Sequence, residues 1–221
     1  DVRVAGMGGE SGVCRDVRAV AEGMGRARAC GVRVVAVKSG VSAQGASITR
    51  SHTASMAGSD EAASALFERL GIARVQDLDT LIESLKLLHV HGPLKGNRLC
   101  SMSCSGGEAS LMADTALGRD VVFPELTPEQ HDAVAKTVHE LVSVSNPLDY
   151  HTFAWNKEED LFATYSAMLA CGFDLSMLVL DFPREDRCNL ETWDPAVNAI
   201  TRAVDKTGAA TAVVASLPES L

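Results

Sequence analysis

Hydrophobic and polar positions in the first half of the chain alternate between strand-like and helix-like patterns. The β-branched run Val32–Val37 is typical of a strand buried on both faces of a parallel sheet. A loop containing His52 follows it. The elements predicted in this half are a strand at 2–7, a helix from Val17 through Val20 and Ala21 to Met24, the strand at Val32–Val37, and helices over 60–71 and 77–88.

The second half repeats this alternation after residues 91–97, which contain one proline and two glycines and therefore predict a linker. Thr127-Pro-Glu-Gln130 has the composition of a capping box, so we expect a helix there with apolar residues from Val134 to Val142 on one face. The predicted elements are strands at 98–103, 121–123, 175–180 and 211–216, and helices over 109–116, from 128, over 160–170 and over 195–206.

This order of elements predicts an α/β chain. Strands that alternate with helices form parallel sheets covered on both faces. We therefore predict two doubly wound parallel-sheet domains, residues 1–93 and 97–221. The chain opens with Asp1 directly into a strand-like run, so we expect the first domain to be incomplete at its N-terminus.

Composition and charge exclude several classes of partner. There are 20 basic and 29 acidic residues, a net charge of −9, which disfavours nucleic acid and anionic membrane surfaces as partners. The longest apolar runs have the length of strands and are far shorter than a bilayer span. Six cysteines show neither a C-x-x-C pair nor zinc-site spacing, so we expect no metal site and reduced thiols in the cytoplasm.

The first candidate site is His52, which lies among hydroxyl-bearing and small residues. A histidine that carries a phosphoryl group needs an unhindered nitrogen, donors for the phosphate oxygens and a carboxylate that fixes its tautomer. Ser51 and Thr53 supply hydroxyls. Glu10 follows the first predicted strand and would lie at the carboxyl edge of the sheet. The alternatives are a surface histidine and a solvated acid.

The second candidate site is the glycine-rich turn Ser103-Cys-Ser-Gly-Gly-Glu108, between a predicted strand and a predicted helix. Such a turn directs backbone N–H groups and a positive helix end at one point, which suits an anion. Its small side chains let an anion approach the backbone, and Ser103 and Ser105 can donate hydroxyls. The alternative is that the glycines only permit the bend.

Five segments together resemble a known family: Val34-Val-Ala-Val-Lys-Ser-Gly40, Ser51-His-Thr-Ala-Ser-Met-Ala-Gly-Ser-Asp60, Gly96-Asn-Arg-Leu99, Ser103-Cys-Ser-Gly-Gly107 and Ser145-Asn-Pro-Leu-Asp149. The chain resembles the NDP-forming (ADP-forming) acyl-CoA synthetases, relatives of succinyl-CoA synthetase. The resemblance implies that 1–93 is a phosphohistidine-bearing, succinyl-CoA-ligase-like flavodoxin domain, and that 97–221 is a second flavodoxin-like ligase-CoA domain.

The resemblance also implies roles for individual residues. His52 is the phosphohistidine and Glu10 is the acid that holds it. The residues implied in phosphate binding are Ser51, Thr53, Ser105, Gly106 and Gly107. Asn146 and Asp149 belong to the same cleft, with a plain turn as the alternative.

The predicted substrate is a carboxylic acid larger than acetate. Glu108 stands where the acetate-type enzymes have a proline-containing sequence, and Trp155 ends an aromatic cluster that begins at Tyr150. A tryptophan face attracts onium groups, and Glu191 or Glu108 could complete the charge match. This pattern favours an aromatic acid, or one that carries a sulfonium or ammonium group. The alternative is that Phe153 and Trp155 only pack at the edge of the domain.

The implied reaction converts acid, CoA and NTP into acyl-CoA, NDP and phosphate through a phosphohistidine and an acyl phosphate. CoA and ATP/ADP with Mg are expected to bind mainly to CoA-binding and ATP-grasp domains of the parent protein or a partner subunit, with no tightly bound cofactor. We therefore expect an oligomeric cytoplasmic ligase whose isolated fragment is inactive. One alternative is a regulatory module of the kind fused to acetyltransferases. Another is a serine hydrolase, but the sequence contains no G-x-S-x-G nucleophile elbow.

Overall fold

The computed structural model describes residues 17–53, 59–184 and 186–216, and the chain divides into two compact units, Asp1–Pro93 and Leu94–Leu221. The helices are α1 (Val17–Ala29), α2 (Ala43–Thr53), α3 (Asp60–Leu70), α4 (Leu78–His91), α5 (Gly106–Ala116), α6 (Pro128–Ala135), α7 (Glu158–Leu169) and α8 (Asp194–Thr207). The strands are β1 (Val35–Val37), β2 (Ala73–Val75), β3 (Leu99–Ser103), β4 (Leu148–Asp149), β5 (Leu175–Leu180) and β6 (Thr211–Ala215). The strand predicted at 2–7 lies outside the described residues.

Unit 1, residues 1–93, contains the parallel strand pair β1 and β2, in a register that joins Val35 to Ala73 and Val37 to Val75. The sequence predicts a strand that is buried on both faces from Val32 onward. The observed strand begins at Val35, and its three residues are only half-buried. The partner strand β2 was not predicted, because three residues are too few to show a strand period.

The prediction that His52 lies in a loop is wrong, because His52 belongs to α2. The hydroxyl of Ser42 accepts a hydrogen bond from the backbone N–H of Gly45 at 3.0 Å, which caps the start of this helix. This helix contains Ser, Thr and Gly, which have low helix propensity, so its composition does not predict a helix. The structure describes the backbone of residues 49–53 but not their side chains.

Helix α3 is fixed at both ends and along its side. Ser59 caps its start by accepting from the N–H of Ala62, and Gly71 ends it in the left-handed conformation at φ 64°. The carboxylate of Asp60 accepts two hydrogen bonds from the Arg74 guanidinium, at 2.7 and 3.1 Å. This pairing lowers the pKa of Asp60 below its ordinary value and ties α3 to β2.

Unit 2, residues 94–221, is built on a four-stranded parallel sheet of order β4-β3-β5-β6. All five residues of β3 are buried, as the central position of this strand requires. The chain runs from β3 to β4 on one side of β3. It then crosses back to β5 on the other side of β3. The α/β fold class with parallel sheets is therefore confirmed.

The core of unit 2 joins β3, β5 and helices α6, α7 and α8. Its largest fully buried side chains include Met102, Leu148, Tyr150, Leu161, Tyr165, Met168 and Leu178. The capping box at Thr127 and Gln130 is confirmed, with proline at the first turn of α6. This helix ends at Ala135, earlier than the apolar pattern predicts, so Leu141 is 70% exposed.

Two further differences concern the edge of this sheet. Residues 121–123 were predicted to be a strand, but they contribute only an isolated bridge between Val122 and Arg98. Strand β4 was not predicted, because its two residues are too few to show a pattern. The helix and strand predictions at 160–170, 175–180, 195–206 and 211–216 are confirmed as α7, β5, α8 and β6, with ends shifted by a few residues at most.

Candidate functional site

The carboxyl edge of the unit 2 sheet contains the second candidate site, the glycine-rich turn. The direction of the strand connections reverses at this edge, between β3 and β5. In open α/β sheets, ligands bind outside the carboxyl ends of the strands at such a point. Ser105 follows β3, and Asp181 follows β5. Asp149 ends β4, and Ser216 follows β6. The topology thus brings the glycine-rich turn and Asp149, both predicted from the sequence as site features, to one edge of the sheet.

The glycine-rich turn forms the start of α5, as the sequence predicts. The Ser105 hydroxyl caps the helix by accepting from the N–H of Glu108 at 3.5 Å, and the buried Ser103 hydroxyl donates to the carbonyl of Ser105 at 2.9 Å. Gly106 and Gly107 are the first two helical residues, so their N–H groups have no acceptor within the helix. Both residues are also exposed. These two amides are the available anion donors of the turn.

The surroundings of this turn are more acidic than the sequence indicates. One carboxylate oxygen of Asp149 lies 3.2 Å from the point where a Cβ on Gly106 would be. Burial, and to a smaller extent the charges of Asp181, Glu108 and Asp149, raise the pKa of the Cys104 thiol to about 11. A helix N-terminus carries about half a positive charge, less than one carboxylate. The turn therefore holds a bare anion poorly, and Cys104 stays a protonated thiol at neutral pH.

The Glu108 carboxylate is hydrogen-bonded at one of its two oxygens. One carboxylate oxygen accepts a hydrogen bond from the Ser216 hydroxyl, which ties α5 to the end of β6. The other oxygen is buried and has no hydrogen-bond partner in the part of the chain that the structure describes. This unused acceptor is buried, and the substrate role of Glu108 stays a prediction.

Asn146, which was predicted to contact the substrate, holds the backbone of unit 2. Its amide donates to the carbonyls of Leu99 and Pro124, at 2.9 and 3.1 Å, and accepts from the N–H of Ser101 at 3.3 Å. Both N–H donors of the side chain are used, and one acceptor position remains. This position in the fold accounts for Asn146 without a ligand.

Asp149 contacts a residue that the sequence analysis did not single out, His151. One oxygen of the Asp149 carboxylate accepts from the backbone N–H of His151 at 2.9 Å, and the other lies 3.5 Å from the imidazole Nε2. The imidazole is 47% exposed. The only sequence signal for it was its place in the aromatic cluster from Tyr150 to Trp155.

The Trp155 side chain packs edge-on against Trp193, with ring centroids 5.5 Å apart. It lies partly buried against the unit 2 core, and the Trp193 indole N–H donates to Asp181 at 3.4 Å. Glu191 is exposed, and its backbone N–H donates to Asn189. This packing accounts for Trp155 without a ligand, so a pocket role for Trp155 and Glu191 stays a prediction.

The predicted phosphohistidine site is only partly described. The backbone of Ser51, His52 and Thr53 forms the last residues of α2. The structure does not describe their side chains. Glu10 lies outside the described residues. Their proposed contacts therefore stay predictions.

None of the described helices is long and apolar enough to cross a membrane. The part of the chain that the structure describes contains no group of three or more His, Cys, Asp or Glu side chains that could hold a metal ion.

Comparison with known proteins identifies relatives of both sequence and fold. Residues 4–88 match the family described as succinyl-CoA ligase like flavodoxin domain. The alpha subunit of acetate-CoA ligase [ADP-forming] II from Pyrococcus furiosus is 29% identical over 136 residues, which are 62% of this chain and 29% of that subunit. Acetate-CoA ligase [ADP-forming] from Methanocaldococcus jannaschii is 26% identical over 116 residues, 52% of this chain and 16% of that enzyme.

A solved structure shares the fold of nearly the whole chain. It is the dinucleotide-forming acetyl-coenzyme A synthetase 1 of Ca. Korarchaeum cryptofilum, in complex with phosphate and ADP, with a TM-score of 0.75 and 19% identity. The match covers 96% of this chain and 44% of that one, so the present chain spans less than half of its structural neighbour. These matches confirm the resemblance to the NDP-forming acyl-CoA synthetases: residues 4–88 match the succinyl-CoA ligase like flavodoxin domain, and the chain is similar to ADP-forming acetate-CoA ligases over 52–62% of its length.

Proposed function

We propose that this chain is part of an NDP-forming acid-CoA ligase that activates a carboxylic acid through a phosphohistidine at His52. The observation that carries the proposal is the family match over residues 4–88, which includes both His52 and Glu10. Its relatives are named ADP-forming acetate-CoA ligases. The chain spans only part of each relative, so we assign binding of ATP and CoA mainly to further domains or subunits.

The proposed reaction has three steps. A neutral His52 nitrogen attacks the γ-phosphoryl group of ATP, so that an N–P bond forms and the P–O bond to ADP breaks. The substrate carboxylate then takes the phosphoryl group from His52 and becomes an acyl phosphate. The CoA sulfur attacks the acyl carbon, a C–S bond forms, and phosphate leaves. Glu10 holds the imidazole in the reactive tautomer.

The role of unit 2 in this proposal follows from its sheet edge. The exposed amides of Gly106 and Gly107 can bind phosphoryl oxygens, with the Ser105 hydroxyl beside them. The carboxylates of Asp149 and Asp181 near this turn offset the positive helix end. We therefore expect this turn to contact a phosphoryl group that is held mainly by other groups, rather than to bind free phosphate tightly.

The test is phosphoryl transfer from labelled ATP to the chain assembled with CoA-binding and ATP-grasp domains. We expect a phosphoprotein that is stable to base and labile to acid. His52→Ala should abolish the label, and Glu10→Gln should lower its rate of formation about tenfold to a hundredfold, as loss of an orienting partner does in metal-ligating histidines.

His89, an exposed histidine of α4 in the same unit, provides the control, and His89→Ala should keep the label. Label that persists in His52→Ala would show that the assignment is wrong. No label on the unmodified chain would favour a non-catalytic module.

A further inference from the structure

The pair formed by Asp149 and His151 lies at the carboxyl edge of the unit 2 sheet. Asp149 ends β4 at the carboxyl edge of the sheet, and its carboxylate lies beside Gly106, the first helical residue of the glycine-rich turn. His151 follows it, with Nε2 3.5 Å from that carboxylate. The imidazole therefore stands next to the turn to which phosphoryl contact is assigned above.

The backbone of His151 is strained. Its φ of 58° and ψ of 174° lie in a region that is essentially restricted to glycine. Such conformations are energetically unfavourable and persist only where surrounding contacts hold them. Here the His151 N–H is bound by Asp149, and the ring stacks on Phe153 at 5.7 Å between centroids. Phe153 stacks in turn on His139 at 4.1 Å.

The Asp149 carboxylate lies beside Nε2 of this imidazole, at 3.5 Å. A negative oxygen at that position favours the tautomer with the proton on Nε2, in which Nδ1 carries the lone pair. The side chain is 47% exposed, so a ligand can approach the ring. This arrangement is that of a general base with an orienting acid.

We propose that His151 is the base that takes the thiol proton of CoA, with Asp149 as its positioning residue. This inference rests on the proposed function. Of the two external nucleophiles, the substrate carboxylate is already an anion at neutral pH, whereas the thiol must lose a proton before it attacks. The proton moves from sulfur to Nδ1 of His151, the C–S bond forms, the C–O bond to phosphate breaks, and the imidazolium returns the proton to phosphate or solvent.

The experiment separates acyl phosphate formation from thioester formation in the assembled ligase. Hydroxylamine traps an acyl phosphate as a hydroxamate without CoA. His151→Ala should leave the labelling of His52 and the hydroxamate rate unchanged, and should lower the rate of thioester formation about a hundredfold or more. An unchanged thioester rate in His151→Ala would overturn the inference. Absence of phosphoprotein and hydroxamate with the unmodified protein would instead overturn the proposed function.

A second pair of variants tests the orienting role of Asp149. Asp149→Asn keeps the size of the side chain and an acceptor for the His151 N–H, but its amide donates to Nε2 and moves the ring proton to Nδ1. We expect kcat for thioester formation to fall nearly as far as in His151→Ala, with KM for CoA little changed. Asp149→Glu should recover part of kcat. Equal activity of Asp149→Asn and the unmodified protein would contradict the role.

The strain provides a readout that does not depend on activity. His151→Gly should raise the melting temperature of the chain by about 2–6 °C while thioester formation is lost. Asn156 is the matched control, because it also has a positive φ, of 63°, and lies in the same unit. Asn156→Gly should raise the melting temperature without loss of activity. A lower melting temperature in His151→Gly would show that the residue is held for stability.

Discussion

The two units of the chain differ in how their described residues are stabilised. In unit 2 the central strand β3 is buried along its whole length, and helices α7 and α8 contribute further buried residues. Among the described residues of unit 1, none is buried, and the strands β1 and β2 are half-exposed. Unit 1 instead shows caps and the paired charges of Asp60 and Arg74.

This difference indicates which physical terms dominate in each unit. Burial of apolar area is worth about 25 cal/mol per Å² and involves no titrating charge. A half-exposed ion pair or a cap contributes little, and the ion pair responds to salt and pH. We therefore expect the described part of unit 1 to respond to charge and backbone changes, and unit 2 to respond to changes of volume.

The largest expected effect is a cavity in unit 2. Leu178 on β5 is fully buried, so Leu178→Ala should lower the free energy of unfolding of unit 2 by about 2–5 kcal/mol. Leu66→Ala on α3 of unit 1 should cost less, because this side chain is only half-buried. The measurement is hydrogen exchange in urea, which resolves the two units.

Leu141, which is 70% exposed in unit 2, is the control, and Leu141→Ala should change stability by less than about 0.5 kcal/mol. An equal loss in Leu66→Ala and Leu178→Ala would show that unit 1 is as densely packed as unit 2.

A smaller effect is expected at two matched helix ends. Gly71 ends α3 at φ 64°, and Gly208 ends α8 at φ 66°. Gly208→Ala should cost about 1–2 kcal/mol from backbone strain alone, since nothing lies within 4 Å of the new Cβ. Gly71→Ala should cost only slightly more. The Arg28 guanidinium that its Cβ would meet is the exposed end of a flexible side chain, and moving it aside loses the hydrogen bond to the carbonyl of Leu70 at 3.0 Å.

Thermal unfolding of both alanine variants measures this difference. In an Arg28→Ala background, Gly71→Ala should cost no more than Gly208→Ala, since no side chain then opposes the new Cβ. An equal cost of the two single variants would show that Arg28 moves aside freely.

The smallest expected effect is a pH dependence of unit 1. Arg74 lowers the pKa of Asp60, so the pairing adds stability that is present above the ordinary Asp pKa, near 4. That stability is lost as the pH falls through the lowered pKa of Asp60 in the folded protein. Asp60→Asn should remove this acid-dependent part of the hydrogen-exchange protection of α3, and Glu61→Gln, at an exposed neighbour, should keep it. The same acid profile in both variants would contradict the assignment.

The sequence predicted those elements that have a strong local signal. The capping box at Thr127 marked the start of α6, and the apolar run from Leu175 to Leu180 gave the bounds of β5. It did not predict α2, because the helix is specified by the Ser42 cap rather than by an apolar stripe. Element length set the other limit, since β2 and β4 have three and two residues.

The candidate site was predictable in place but not in chemistry. The glycines after β3 correctly indicated the carboxyl edge of the sheet. The structural role of Asn146 was not predictable, because it depends on backbone groups of Leu99, Ser101 and Pro124, which are distant in sequence. The contact between Asp149 and His151 requires a positive φ that no residue pattern signals for histidine.

The edge contact between Trp155 and Trp193 also decides what an optical experiment on this chain reports. These are its only two tryptophans, and its two tyrosines, at 150 and 165, lie in unit 2 as well. Intrinsic fluorescence and near-ultraviolet circular dichroism therefore follow unit 2 almost alone, and the Trp193 N–H on Asp181 makes the emission sensitive to the carboxyl edge of the unit 2 sheet. A ligand titration observed by fluorescence reads that edge, whereas events at His52 need a probe introduced into unit 1.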